Sequence, residues 1–236
     1  MELLKFIGQI PLPILILAII VLMVVLVIIL NDGTRKIPVQ YAQKVQGRRL
    51  VGGQSSSIPL KVNTAGVIPI IFAQSLLQFP LIISSFVKYN TAGVWAEILK
   101  YLNSGNWCSL QQPKYTIGML VYIVLVIFFA YFYTSITFNP LMVADNMKKQ
   151  GGFIPGIRPG KPTSDYLTKV LNYVIFIGAV GLTIIGILPY IFNGIFKASV
   201  SFGGTSLIII VSVILETMKQ IESQMLVRNY KGFLND

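Results

Sequence analysis

The chain has 236 residues, a formal net charge of +11 and only 11% charged residues, with a mean hydropathy of +0.73. These values exclude an ordinary soluble domain and point to a polytopic membrane protein. With no histidine and the single Cys108, zinc sites, Ser/His/Asp triads and Cys/His pairs are excluded too, so neither an enzyme nor a metal or cofactor site is expected.

A hydrocarbon core about 30 Å thick takes about 20 apolar residues per helix. Five stretches suit it, at 14–30, 66–87, 117–138, 170–192 and 207–225, so the expected fold class is all-α: a single membrane domain over residues 1–236 with five transmembrane helices. Pro11 and Pro13 precede the first stretch, where a missing amide donor is harmless. Ile14 to Leu30 is aliphatic on every side, too long for a cleavable signal peptide, and Asn31, Asp32 and Gly33 end it. Residues 31–61 carry Arg35, Lys36, Lys44, Arg48, Arg49 and Lys61 and are short of apolar residues for a core. Either they form a solvated loop whose charges set topology, or an arm that offers the guanidinium forks of Arg48 and Arg49 to an anionic partner.

The second stretch has Lys61 and Asn63 on its approach, Gly66 a turn on, and then Pro69, which is expected to delete an amide donor and crowd the carbonyl of Ala65. Pro80 repeats the problem against Leu76. Lipid cannot satisfy the freed groups, so a bent helix leaning on neighbours or on a water-lined cavity is expected; an ordinary kinked span is the plainer alternative. Between the second and third stretches, Tyr89, Trp95, Tyr101, Trp107 and Tyr115 suit an interfacial belt, with a short helix lying on the membrane around residues 96–102.

The third stretch ends at Asn139 and Pro140. In residues 139–165, Gly151, Gly152, Gly156 and Gly160 alternate with Pro155, Pro159 and Pro162, a composition for a protruding loop rather than a helix, with Arg158 near its middle and Lys148, Lys149 and Lys161 around it. Gly178, Gly181 and Gly186 mark the fourth stretch as close-packed scaffold. The fifth leaves the membrane at Glu216, Lys219 and Glu222, with Glu216 and Lys219 at pairing distance along a helix. Fourteen basic residues fall in segments 31–61 and 139–169 and in the tail, against five elsewhere. The positive-inside rule then makes both loops and the C-terminus cytoplasmic and the N-terminus external.

Several stretches together resemble the SecY family of protein-conducting channel subunits: IPVQYAQKVQGRR, GGQSSSIPLKVNTAGVIPIIFAQS, FNPLMVADNMKKQGGFIPGIRPGKPTSDYL, GGTSLIIIVSVILETMKQIESQ and the terminal YKGF. The resemblance implies that the five helices are the family's sixth to tenth, half of a pseudosymmetric clamshell. It implies a lateral gate at Asn63, Gly66 and Pro69, a pore ring that includes Ile71 and Ile209, and docking of a ribosome or the SecA motor at Arg48, Arg49 and Arg158, with Lys148, Lys149 and Lys161 beside them. The implied function is passage of unfolded secretory polypeptides across the bilayer and release of apolar segments into it. SecE and SecG-like subunits are implied partners. The family's first five helices are absent, so the chain is expected to be a fragment or a separately encoded half that joins a complementary N-terminal half.

Two alternatives stand beside this. Half of a secondary transporter would bind substrate at the broken second helix, although the span interiors lack the ionisable residues that ion coupling uses. A non-conducting adaptor would keep only the cytoplasmic loops for ribosome or motor.

Overall fold

The computed structural model describes residues 12–41, 44–46, 49–51, 55–86, 93–108, 113–196 and 204–232. The helices are α1 (Leu12–Asp32), α2 (Ile68–Phe86), α3 (Val94–Leu102), α4 (Ile117–Thr137), α5 (Pro140–Lys149), α6 (Lys161–Phe196) and α7 (Gly204–Gly232). Among the described residues, three helical runs are long and apolar enough to cross a membrane: Ile68–Phe86, Pro113–Lys149 and Lys161–Ile191. A shorter apolar stretch, Ile16–Asp32, lies within α1.

The membrane core forms where small residues let these helices meet. Met23 and Val27 of α1, Ile70, Ala73 and Leu77 of α2, Tyr122 and Val126 of α4, and Leu182, Ile185 and Ile187 of α6 are buried together. Ala130 and Ala179 form a second α4–α6 contact with Leu171 and Ile175. Water drives none of this packing within a bilayer, so close backbone approach and dispersion carry it. Gly178 is the tightest of the α6 glycines: a Cβ there would stand 2.2 Å from the carbonyl oxygen of Val62. Thr134 and Thr183 are buried with their hydroxyls satisfied, each donating to the carbonyl four residues back, at 2.8 and 2.7 Å.

The all-α expectation needs correction in the basic segments. Residues 31–61 are not an unstructured loop: β1 (Thr34–Tyr41) pairs antiparallel with β4 (Ser55–Lys61), and β2 (Lys44–Gln46) pairs with β3 (Arg49–Val51) between them. A two-residue β5 (Gly152–Phe153) adds to the other edge of β1, giving the order β4-β1-β5. Alternation explains the sheet, since Ile37, Val39 and Leu60 face one side and bury against Ala144, Met147, Ile154 and Leu167. The apolar residues judged too few for a core acquire one by borrowing α5 and the start of α6.

Residues 139–165 are likewise more helical than their Gly and Pro content predicts. Asn139 caps α5 by accepting from the amides of Leu141 and Met142, with Pro140 in the first turn. Only 150–160 form the turn-rich protrusion, with left-handed Gly151, Gly156 and Gly160. The stretch expected at 170–192 runs from Lys161 to Phe196, 36 residues. At 1.5 Å per residue that is about 54 Å, longer than the hydrocarbon is thick, so the first turns of α6 serve the sheet-side core instead.

Candidate functional site

The approach to α2 is pinned on three sides. The Val62 amide donates to the Gly33 carbonyl at 2.8 Å, extending the β1–β4 pairing to the end of α1. The Val62 carbonyl sits in the Gly178 notch of α6. Asn63, 9% exposed, donates to the Asn31 side-chain oxygen at 2.7 Å, and Asn31 donates to the Ser212 hydroxyl of α7 at 3.0 Å. The Asn63 side-chain oxygen has no partner among the described residues. Asn31, Asn63 and Ser212 border a cleft of about 150 Å³ lined also by Gly66, Glu216 and Lys219. Lys219 pairs with Asp32 rather than with Glu216, tying α7 to α1 and correcting the expected pairing within the helix.

Gly66 follows, at φ 62° with nothing within 4 Å of where a Cβ would stand. It is a free left-handed joint. Helix α2 begins two residues later, which corrects the expected role of Pro69: it occupies the first turn, where its missing amide has no intrahelical acceptor to lose, and it is buried. Pro80 lies inside the helix.

Beyond that start, α2 presents three faces. Ile70, Ala73, Leu77 and Ser84 are buried against the rest of the chain. Phe72, Leu76, Phe79, Ile83 and Phe86 form an exposed, wholly apolar stripe, of which Phe72 also stacks on Phe129 of α4. Ile71, Ser75, Gln78, Ile82 and Ser85 form the third, exposed and mixed in polarity. Next to this face, Gln74 donates to the Tyr190 hydroxyl at 3.2 Å, above a cavity of about 350 Å³ roofed by Leu102, Ser104 and Trp107.

The roof is rigid. The Trp107 indole donates to the Tyr101 carbonyl at 2.9 Å and packs edge-on against Tyr190, and Gly118 leaves room for that same carbonyl. Lys114 pairs with Glu97 at 3.4 Å. Partial burial pushes the Cys108 thiol up.

The predicted site residues fall in distinct places. Asn63, Gly66 and Pro69 belong to one continuous approach, with Asn63 turned inward to Asn31. Ile71 is 40% exposed on the mixed face of α2, and Ile209 is partly exposed on α7. Ile209 lies one turn before Ser212, and Ile71 one turn into α2. Arg158 is exposed in the turn between β5 and α6, while Lys148 and Lys149 end α5 and Lys161 opens α6. Arg48 lies outside the described residues, and Arg49 lies in β3, with only its backbone described. The sequence reading missed Asn31 and Ser212 as partners of Asn63. Their signal was three short polar side chains at the ends of apolar runs, where an unpaired polar group is costly.

A mostly helical membrane protein, with one helix packed along a single side and hung from a pinned joint, is the class that this arrangement defines. Residues 2–218 match the SecY family model, and the chain belongs to the SecY family. It is 47% identical over 215 residues to "Protein translocase subunit SecY" of Mycobacterium leprae (strain TN), covering 88% of this chain and 48% of that protein. With the protein of the same description from Streptomyces galbus it shares 49% over 210 residues, covering 88% and 46%. The chain thus spans about half the length of the curated relatives it matches. A solved structure described as "The structure of a protein conducting channel" superposes with a TM-score of 0.57 at 20% identity, over 87% of this chain and 48% of that one. A second, concerned with the plug domain of the SecY protein, gives the same values.

Proposed function

We propose that this chain forms the C-terminal half of a protein-conducting channel, with five membrane spans, an external N-terminus and a cytoplasmic C-terminus. A complementary N-terminal half closes the conduit against the open faces of α2 and α7. Unfolded secretory polypeptide passes along that wall, and apolar segments leave sideways past α2 into lipid. The half does no bond chemistry; SecA or a ribosome supplies the driving force from the cytoplasm, docked on Arg48, Arg49, Arg158 and the lysines near them, and SecE and SecG-like subunits complete the assembly. Membership of the SecY family leaves the transporter alternative without support.

The three-faced α2 is the observation that carries this reading. A structural span needs a buried face and a lipid face; the third face, Ile71 to Ser85, mixes Ile with Ser and Gln and suits a wall that meets water and peptide. In the five-span arrangement α2 and α7 run antiparallel, and Gly66 and Ser212 border one cleft. Ile71 and Ile209, each about a turn outward from that cleft, then stand at similar depth. Branched aliphatic side chains at one level suit a constriction that closes around a threaded peptide and blocks ions by dewetting. Gly66 is the swivel by which α2 moves while Val62 and Asn63 stay fixed.

Photo-crosslinkers placed singly at Ile71, Gln78, Leu76 and Phe79 test this with a stalled secretory chain, in membranes that also hold an N-terminal half. Positions 71 and 78 are expected to capture the stalled chain, and positions 76 and 79 to favour lipid or helix neighbours. Capture confined to the basic loops would sink the channel reading in favour of the adaptor.

A further inference from the structure

We infer that α3 is an amphipathic anchor seated in the headgroup–acyl boundary of the leaflet opposite the basic loops, holding the outer end of α2 at a fixed depth. This rests on the membrane orientation proposed above.

Helix α3 has three sides. Ala96 and Leu99 are buried and attach it to the protein. Glu97 and Lys100 are exposed together on a second side, Glu97 paired with Lys114. On the third, Val94, Trp95 and Ile98 are 79%, 46% and 41% exposed, a continuous apolar patch on a nine-residue helix. A surface that left this patch in water would forfeit its burial, yet no described element covers it.

Two observations choose lipid as the occupant. The helix that carries the patch sits against apolar surface: α3 packs against both α2 and α4, and the first turns of α4 expose Ile117, Leu120, Val121 and Val124. The neighbouring groups are those of an interface, with Trp95 in the patch, Tyr101 and Tyr115 packed edge-on, and the Lys114 ammonium 5.1 Å from the Tyr115 ring centre. An amphipathic helix of this kind sinks its apolar side about 5–10 Å into the boundary. Because α3 packs directly against α2, that depth is passed on to the outer end of α2.

Tryptophan quenching tests the inference on the full chain in phosphatidylcholine–phosphatidylglycerol vesicles. Trp107 is 2% exposed, so the emission lost in Trp95→Phe reports Trp95. Lipids brominated near the headgroup are expected to quench that emission at least about two-fold more than lipids brominated near the chain ends, given the shallow depth, with aqueous acrylamide weaker than either. Dominant acrylamide quenching, dominant deep-bromine quenching, or protection from all three, as for a side chain covered by protein, would each overturn it. A reporter Phe128→Trp, placed midway along α4 in the Trp95→Phe background, separates the two layers of argument. If the reporter escapes deep bromine, the membrane orientation has failed; if deep bromine quenches the reporter while headgroup bromine does not quench Trp95, only the anchor has.

Discussion

Helices α6 and α2 are both apolar enough to cross a bilayer, yet half of the α6 membrane window is buried inside the chain against 22% of that of α2. Composition separates them once the contacts are known. Helix α6 places Gly178, Ala179, Gly181 and Gly186 at its crossings, so neighbouring backbones and side chains come close, and its Cβ positions are the limiting space. Helix α2 offers only Ala73 at the centre of its buried face and spends its large residues outward. In the proposed channel one helix is a mast and the other a door leaf, and the proposed hinge between them is the segment from Val62 to Gly66.

Filling the mast should have the largest effect. Gly178→Val would drive a side chain into the Val62 carbonyl, which is backbone held at its amide by Gly33 and cannot swing aside. Overpacking of this kind costs about 1–3 kcal/mol, and the upper end is expected here. Unfolding of the full chain by SDS titration checks it. A variant as stable as the parent would mean that α6 and the α2 approach are not rigidly joined, and the comparison would lose its basis.

Much of this division was legible in the residues. Apolar runs marked helices because the bilayer demands length, and the glycines of the fourth stretch marked close packing. Pro69 misled because its effect depends wholly on where the helix starts: the same residue that would break an interior turn is harmless in the first one. The sheet was hidden for a different reason. Ile37, Val39 and Leu60 do not constitute a core by themselves, and their partners Ala144, Met147, Ile154 and Leu167 come from segments about 80 to 130 residues later, which no local pattern reveals. Asn31 ends an apolar run in the sequence, and only the fold brings Asn63 beside it.

The hinge gives the intermediate effect. At φ 62° an L-residue with a Cβ is strained by about 1–2 kcal/mol, and since open space surrounds Gly66 the strain is purely conformational. Gly66→Ala is therefore expected to destabilise by about 1 kcal/mol, and Gly66→Asn by much less, because asparagine tolerates the left-handed region. Equal losses for both variants in the same SDS titration would show that space, not backbone conformation, governs the position, and α2 would not swivel there.

The smallest effect tests what stays still when the leaf moves. Asn63 and Asn31 join the approach of α2 to α1 and, through Ser212, to α7. Hydrogen bonds between membrane helices couple by about 0.6 kcal/mol on average and up to about 1.7, and Asn63 is buried enough for the coupling to exceed the average. A double-mutant cycle of Asn63→Ala with Asn31→Ala isolates it, since each single change removes the same bond and the pair then falls short of the sum. Strict additivity would leave Asn63 an incidental polar residue. The fixed end of the hinge would then rest on Val62 alone, through its amide bond to Gly33 and its carbonyl in the Gly178 notch.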